Sequence, residues 1–218
     1  MEKPILALFD FCDTLIDGQS INFFLDFLYQ NESNWLKKIN LKMRKLLAIV
    51  SESDSQNFKN YLFAPFRGIS KERMERLSYE FTQQVLLNKE HPKVTQRLQW
   101  HNDNGHTIVL LSGGFEAYLK YYASIYNIKY VIGTPFLYDS QDYFQGIGQE
   151  CLGVLKVEKL AQCVSLNDFD LQNSYAYSDA ESDIPMFKLV GNCYVIKNKQ
   201  DVSWKETSWN LIDISIPL

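Results

Sequence analysis

Residues 5–15 form the stretch Ile5-Leu6-Ala7-Leu8-Phe9-Asp10-Phe11-Cys12-Asp13-Thr14-Leu15, and the rest of the chain is organised around it. The apolar run leads directly to Asp10, and a polar turn follows. A short apolar run without a polar helical face is typical of a buried strand. Ligands of open α/β sheets bind at the carboxyl ends of the strands, and a buried carboxylate needs a metal or a cation as its partner. The stretch therefore predicts a functional role for Asp10.

Length and composition indicate an ordinary globular protein. The 218 residues allow a core domain with a smaller second one, and the net charge of -4 gives no electrostatic reason to expect a nucleic-acid partner. The four cysteines form no CxxC motif, which argues against a structural zinc site or a disulfide scaffold. Because Asp10 and Asp13 interrupt the apolar run near the N-terminus and no apolar stretch reaches membrane-span length, we expect a cytoplasmic protein without a membrane partner.

One basic segment keeps a membrane-surface interpretation open. Between residues 36 and 50, basic side chains alternate with apolar ones, and the basic residues are Lys37, Lys38, Lys42, Arg44 and Lys45. A helix that lies on a membrane surface can have this composition. A surface helix whose long basic side chains face water explains the same pattern, and we favour that interpretation.

Residues 17–90 have the periodicity of helices. Segments 21–28 and 74–81 carry apolar side chains at three- and four-residue spacing, and Ser70 can begin a helix. We predict about three to five helices in this region, which form an all-helical cap inserted after the first strand. Because the insertion lies at the ligand edge of the sheet, we expect it to act as a lid.

From residue 91 onwards, predicted strands alternate with helices. The predicted strands lie at 107–111, 130–132, 174–177, 193–196 and near 211–214. Residues 135–150 contain Pro and Gly among aromatic residues and indicate a hairpin or an irregular loop. The alternation predicts an α/β fold with a doubly wound parallel sheet and right-handed crossovers. We therefore assign residues 1–16 and 91–218 to the α/β core and residues 17–90 to the cap.

Four short polar segments follow predicted strands or begin predicted helices. They are Asp10 with Thr14, Ser112-Gly113-Gly114, Cys151-Leu152-Gly153-Val154-Leu155-Lys156, and Ser178-Asp179-Ala180-Glu181-Ser182-Asp183. Carboxylates that converge on one point suit a hard cation such as Mg²⁺. A hydroxyl group, glycine amides and a lysine suit phosphate, and an ionised Asp can attack phosphorus. The segments therefore predict a phosphoryl-transfer site for a small phosphorylated metabolite.

The order of these motifs resembles the haloacid dehalogenase superfamily and, within it, the subgroup similar to phosphoserine phosphatase. The matching pattern is an apolar strand with DxxxT, a strand with SGG, CxGxxK, and a strand with xSDxxSDxPM, over roughly residues 5–197. The resemblance implies a Mg²⁺-dependent phosphatase with a helical cap. It also implies a small phosphomonoester as substrate, and an amino-alcohol or amino-acid phosphate is our first expectation.

The resemblance also implies a role for each matching residue. Asp10 would be the nucleophile that becomes phosphorylated, and Lys156 would neutralise the nucleophile and the phosphate. Ser112 would hold the phosphoryl oxygens together with the amide of Gly113. The metal ligands would be Asp10, Asp179, Asp183 and the main-chain carbonyl of Cys12. Residues of the cap or its hinge that are expected to reach the substrate are Asp17, Gln19, Ser20 and Arg67.

The chain departs from the family pattern at Cys12. The family usually has a second Asp at this position, which protonates the leaving oxygen and later activates water. Metal ligation through the backbone and attack by Asp10 do not need that Asp, whereas general acid–base help is worth roughly 10²–10⁴ in rate. In an extended segment residues i and i+2 share a face and residue i+3 does not. Asp13 is residue i+3 from Asp10, so it is expected to point away from the reaction.

Several interpretations of this departure stay open. The protein can be a slow phosphatase, or a phosphatase in which the substrate or Asp13 supplies the proton transfer. It can also be a module that binds phosphorylated ligands without turning them over, or a dehalogenase that needs no metal. His91, His101 and His106 lie outside every motif, and we expect them to be surface or structural residues.

Overall fold

A computed structural model of the chain describes residues 3–32, 55–198 and 200–215. The basic segment with Lys37 to Lys45, for which a surface helix is predicted, lies outside the described residues. Within the described ranges no helix is both long and apolar enough to cross a membrane. The main element is a six-stranded sheet whose paired strands all run parallel, which confirms the predicted α/β fold.

The secondary structure follows the order that the sequence predicts. The strands of the large sheet are β1 (Leu6–Phe9), β2 (Thr107–Phe115), β3 (Tyr130–Thr134), β6 (Tyr175–Ser178), β7 (Asn192–Lys197) and β8 (Asn210–Asp213). A separate antiparallel hairpin consists of β4 (Phe136–Tyr138) and β5 (Phe144–Ile147). The helices are α1 (Ser20–Gln30), α2 (Ser55–Phe63), α3 (Lys71–Gln84), α4 (Pro92–Asp103), α5 (Glu116–Ile125), α6 (Val154–Cys163) and α7 (Ile184–Phe187).

The strand order of the sheet determines where a site can form. The order is β3-β2-β1-β6-β7-β8, so the chain builds one half of the sheet outward from β1 and then returns to build the other half. In such sheets the crevice beyond the carboxyl ends of the two central strands is open to a ligand. Asp10 follows β1 and Asp179 follows β6, so both lie at this crevice.

The central strand β1 has an apolar core on each side. Successive side chains of a strand point to opposite faces, and all four residues of β1 are fully buried. Leu6 and Leu8 pack in one hydrophobic cluster, whereas Ala7 and Phe9 pack in the other. Burial on both faces explains why this strand is a continuous apolar run rather than an alternating one.

The described part of the region assigned to the cap contains helices and is joined to the core by aromatic packing. Helices α1, α2 and α3 belong to the region that we assign to the cap, and the division at residues 17–90 stays a prediction. The ring of Phe24 lies 5.0 Å from Phe81 and 6.3 Å from Phe115, which belongs to β2 of the core. Phe63 lies 4.9 Å from Phe115 as well. One hydrophobic cluster therefore extends from the sheet into the cap.

The polar side of α2 holds the loop that follows the hairpin. Asn60 Oδ1 accepts a hydrogen bond from the Ile147 amide at 3.0 Å, and Gln56 Oε1 accepts one from the Glu150 amide at 3.1 Å. Lys59 Nζ forms an ion pair with Glu150 Oε1 at 2.6 Å. These contacts satisfy backbone groups that would otherwise need water, and they fasten α2 to the core just before the motif that contains Lys156.

His101, in the last turn of α4, is completely buried. Its Nε2 lies 2.9 Å from the Tyr177 hydroxyl, and its Nδ1 lies 2.7 Å from Nδ1 of His106. Burial, together with the nearby His106 and Arg97, lowers the pKa of His101 to about 3. The expectation of a structural role is met by this placement, because the ring is neutral at ordinary pH and bridges α4 to β6.

We expect this histidine to make the fold acid-sensitive. Because its pKa is lower in the folded protein than the ordinary 6.5, the unfolded chain takes up the proton first, and stability falls as the pH falls below about 6.5. Between pH 7 and pH 5 the wild type should lose about 2 kcal/mol more than His101→Gln. Urea unfolding of both proteins at the two pH values measures this difference, and parallel losses would contradict it.

Candidate active site

A cavity of about 320 Å³ opens at the carboxyl ends of β1, β2 and β6. A cavity of this size suits a small ligand. Every residue predicted for catalysis, phosphate binding or metal binding lines it, namely Asp10, Cys12, Ser112, Gly113, Lys156, Asp179 and Asp183. Four segments that are distant in the sequence therefore meet at one place, as the predicted strand ends require.

Lys156 joins two carboxylates at the floor of the cavity. Its Nζ lies 2.6 Å from Asp10 Oδ1 and 2.6 Å from Asp183 Oδ2, and all three side chains are buried. The Ser178 hydroxyl also donates to Asp183 Oδ2 at 2.6 Å. Although burial disfavours its charge, the two carboxylates raise the pKa of Lys156 above the ordinary value, so the side chain remains an ammonium. Burial raises the pKa of Asp10 to about 6 against the opposing charge of Lys156.

Gly153 explains how Lys156 comes to face the floor of the cavity. Its φ of +52° lies in the left-handed region that L side chains rarely adopt. This residue precedes α6, and its carbonyl accepts the Lys156 amide at 3.1 Å. The glycine of the CxGxxK motif therefore lets the chain turn sharply into the helix, so that the lysine in its first turn points at Asp10.

The glycines after Ser112 allow close approach of the backbone. A Cβ atom at Gly113 would come within 2.5 Å of the Leu152 side chain, and one at Gly114 would come within 2.8 Å of the Tyr118 hydroxyl. The Gly114 amide donates to Ser112 Oγ at 3.0 Å. The Ser112 hydroxyl keeps its own proton for a ligand, and a hydroxyl beside a turn amide is a group that binds phosphoryl oxygens.

Asp179 is held beside the floor by Thr14. The Thr14 hydroxyl donates to Asp179 Oδ1 at 3.2 Å, and the Asp179 amide donates to Thr14 Oγ1 at 3.1 Å. Burial raises the pKa of Asp179 to about 7, and the charges of Asp10 and Asp13 add to the rise. Thr14 therefore ties the first motif to the fourth, which explains the threonine in DxxxT.

The carboxylates of the site fit a hard cation. Within the described ranges no three acidic, His or Cys side chains already stand at coordinating spacing. Yet Asp183 Oδ1 is buried without a hydrogen-bond partner, which is costly for a polar atom, and burial raises the pKa of both Asp10 and Asp179. A cation between these oxygens would give Asp183 Oδ1 a partner and would lower the pKa of Asp10 and of Asp179. Mg²⁺ prefers such carboxylate ligands.

Cys12 is embedded in a chain of neutral hydroxyl groups. Its Sγ lies 3.1 Å from Ser20 Oγ and accepts a hydrogen bond from the Ser20 amide at 3.4 Å. The Ser20 hydroxyl lies 2.7 Å from the Tyr118 hydroxyl, which is buried. Burial, with the nearby Asp10, raises the pKa of Cys12 to about 11, and burial raises that of Tyr118 as well. Near neutral pH the position therefore presents a thiol rather than a base.

Asp13 closes the turn that leads into the cap. Its φ is +54°, and its carboxylate accepts the Gly18 amide at 2.9 Å and the Gln19 side chain at 2.5 Å. Asp13 does not line the cavity, whereas Gln19 does. The carboxylate is thus directed into the hinge, in agreement with the expectation that it points away from the reaction.

Two of the residues predicted to reach the substrate lie elsewhere. Arg67 is exposed, and its Nε donates to the Gln145 carbonyl at 2.8 Å beside the hairpin. Asp17 is also exposed, and its amide donates to the Lys89 carbonyl at 2.7 Å. Neither residue lines the cavity. Of the others, Gln19 lines it and Ser20 is buried behind Cys12.

No sequence motif predicts the contribution of α2 or of Tyr118. Phe58, Lys59 and Leu62 of α2 line the cavity from the cap. Their signal is the four-residue spacing of Phe58 and Leu62, which places both on one side of a helix. The sequence pattern predicts only that Tyr118 lies on the apolar side of a helix, and no motif indicates a role for its hydroxyl.

Comparison with known proteins agrees with this arrangement. A family model described as haloacid dehalogenase-like hydrolase matches residues 7–188. A Streptomyces azureus protein called inhibition of morphological differentiation protein is 20% identical, over 97% of this chain and 79% of its own. A crystal structure of a Bordetella pertussis Tohama I protein with unknown function has a TM-score of 0.78 at 20% identity. The match covers 97% of this chain and 99% of that one. A phospho-aspartyl intermediate analogue of phosphoserine phosphatase has a TM-score of 0.58 at 16% identity. That match covers 90% of this chain and 87% of the phosphatase.

Proposed function

Because the chain belongs to the haloacid dehalogenase-like hydrolase family, we propose that it is a Mg²⁺-dependent phosphatase that hydrolyses a small phosphomonoester through an aspartyl phosphate on Asp10. The observation that carries the proposal is the ion-paired set at the floor of the cavity, where Lys156 Nζ lies 2.6 Å from both Asp10 and Asp183 beside Ser112. The fold likeness to a phospho-aspartyl analogue of phosphoserine phosphatase supports it.

The residues of the floor have complementary roles in this reaction. A carboxylate oxygen of Asp10 attacks phosphorus, and the bond between phosphorus and the leaving oxygen breaks on the opposite side. The Ser112 hydroxyl and the Gly113 amide hold phosphoryl oxygens, and Lys156 neutralises the negative charge that gathers there. Water then attacks the phosphorus of the aspartyl phosphate, which releases inorganic phosphate and restores Asp10.

The acidic residues would hold the metal. Asp10, Asp179 and Asp183, with the main-chain carbonyl of Cys12, offer hard oxygen ligands, and Mg²⁺ typically uses one or two carboxylates together with phosphate oxygens and water. When bound, the ion supplies positive charge to the phosphoryl oxygens. The unpartnered Asp183 Oδ1 is the feature of the site that most directly supports it.

We expect phosphate release to depend on the metal. Treatment with EDTA followed by desalting should lower kcat by about 100-fold or more, since the ion and its ligands stabilise the transition-state charge. Addition of Mg²⁺ should restore the rate, whereas Ca²⁺, which prefers more ligands and longer distances, should not. Full activity after chelation, checked by metal analysis of the sample, would contradict the metal part of the proposal.

A second function is favoured by Cys12. A site that binds phosphate but has a thiol in the place of an acid–base group can serve as a module that recognises phosphorylated ligands without turnover. Calorimetry with phosphoserine, phosphoethanolamine and phenyl phosphate, alongside an assay of phosphate release from the same three compounds, distinguishes the two functions. Binding without release by the wild type favours the module, and release with Mg²⁺ favours the phosphatase.

A further inference from the structure

The side of the cavity that faces the leaving group can be identified from the direction of attack. In an in-line displacement the leaving oxygen departs on the side opposite the nucleophile. Asp10 lies at the floor, so the leaving group lies toward α1 and α2. We call this side the cap wall, and its described residues are Gln19, Ile21, Asn22, Phe58, Lys59 and Leu62.

The described residues of the cap wall offer no acid for the leaving oxygen. Among its described residues none carries a carboxylic acid or an imidazole. The group next to the floor on this side is the Cys12 thiol, which lies 3.1 Å from Ser20 Oγ, and a thiol is a weak hydrogen-bond donor. An alkoxide that leaves without a proton is a poor leaving group, so the site favours an oxygen that is stable as an anion.

The apolar side chains and the charge of the cap wall indicate what kind of leaving group it can hold. Phe58, Leu62 and Ile21 are apolar, and Leu152 adds apolar surface from the core side. Among the described residues of the wall Lys59 carries a positive charge, and one of its three donors is directed to Glu150 at 2.6 Å. The remaining donors of Lys59 can hydrogen-bond to an oxyanion, whereas the ammonium of an amino alcohol meets no carboxylate among the described residues of the wall.

We propose that the natural substrate is the phosphate monoester of an acidic hydroxyl group, phenolic or enolic, carried on an apolar body. This inference rests on the proposed phosphatase function and specifies its substrate. Asp10 forms the new bond to phosphorus, and the bond to the phenolic or enolic oxygen breaks. The electron pair stays on that oxygen, which leaves as an anion, and no proton has to be transferred in this step. An amino-alcohol phosphate would need that proton.

The test is a series of substituted phenyl phosphates whose phenols cover about three pKa units below the ordinary 10 of tyrosine. Phosphoethanolamine and phosphoserine are assayed with them, and kcat/KM is measured because it reports the transfer step. For the wild type we expect kcat/KM to fall roughly 100-fold from the most to the least acidic phenol, and the two alkyl esters to be slower still. In Cys12→Asp this dependence should become much flatter.

A pair of variants in α2 tests the body of the substrate. Phe58→Ala should lower kcat/KM for phenyl phosphates about tenfold, and the loss should be smaller for phosphoethanolamine. Tyr61→Ala is the matched control, because Tyr61 lies on the same helix, is 40% exposed and does not line the cavity. Equal losses in both variants would indicate a structural effect on the cap and would overturn the assignment of Phe58.

The outcomes separate this inference from the function on which it rests. Turnover that requires Asp10 but shows no dependence on the phenol pKa, or that is fastest with phosphoethanolamine, would overturn the inference and leave the phosphatase intact. If no ester is hydrolysed, the phosphatase proposal and the inference fall together. A steep dependence in the wild type, flattened in Cys12→Asp, supports both.

Discussion

Asp10→Asn should abolish phosphate release, with a fall in kcat of at least about 1,000-fold. The amide is no nucleophile for phosphorus, and it also cannot complete the charge balance with Lys156, whose Nζ lies 2.6 Å from Asp10 Oδ1. Asp183 remains as the partner of the lysine at 2.6 Å, so the floor of the cavity keeps one ion pair and the variant should fold. Phosphate release at saturating substrate with Mg²⁺ measures the loss.

The control for this substitution is Asp168→Asn. Asp168 lies in the exposed turn Leu166–Asp168 and does not line the cavity, so the same chemical change should alter kcat less than about twofold. Circular dichroism and urea unfolding of both variants show whether the fold is kept. A folded Asp10→Asn protein that retains a tenth of the wild-type rate would exclude Asp10 as the nucleophile.

Cys12→Asp should raise turnover, by about 100-fold for esters with a poor leaving group. A carboxylic acid can protonate the leaving oxygen and then, as a carboxylate, take a proton from the attacking water. The thiol does neither well, because burial and the nearby Asp10 raise its pKa to about 11. Ser20 Oγ, 3.1 Å from the sulfur, and the Ser20 amide are ready to hold the new side chain.

The gain should depend on the substrate and on the new charge. Phosphoethanolamine should benefit most and the phosphate of an acidic phenol least, since the latter needs no proton. Cys12→Asn has nearly the same shape as Cys12→Asp but cannot donate or accept a proton in this way, so it should show no gain. A gain of the same size in both variants would mean that packing around residue 12, and not proton transfer, limits the wild type.

Local sequence patterns were sufficient to predict the floor of the site. The apolar run before Asp10 indicates that β1 is buried on both faces, and Gly153 indicates the backbone turn that places Lys156. These properties belong to a few neighbouring residues, and the parallel sheet then brings the strand ends together. For this reason the fold could be predicted from the sequence, and the structure confirms it. All the predicted floor residues line one cavity.

Contacts between distant segments were not predictable in the same way. Arg67 was expected to reach the substrate from the cap or its hinge, but it lies beside the hairpin, where its Nε donates to the Gln145 carbonyl. The hydroxyl of Tyr118 meets Ser20 only because α5 packs against α1 and α3 around Phe24 and Phe81. Periodicity shows that such a helix has an apolar side, but it does not show which partner that side will meet.

The two sides of α2 bear on how this protein can evolve. Successive residues of a helix are about 100° apart, so Phe58 and Leu62 project roughly opposite to Gln56 and Asn60. Mutations at Phe58, which is only partly buried, can alter which substrate is accepted while the second pair keeps the cap docked. Lys59 belongs to both sides, since it lines the cavity and pairs with Glu150. Substrate preference can therefore drift with little loss of stability, except where the drift requires a change at Lys59 or at Leu62, which is buried in the core.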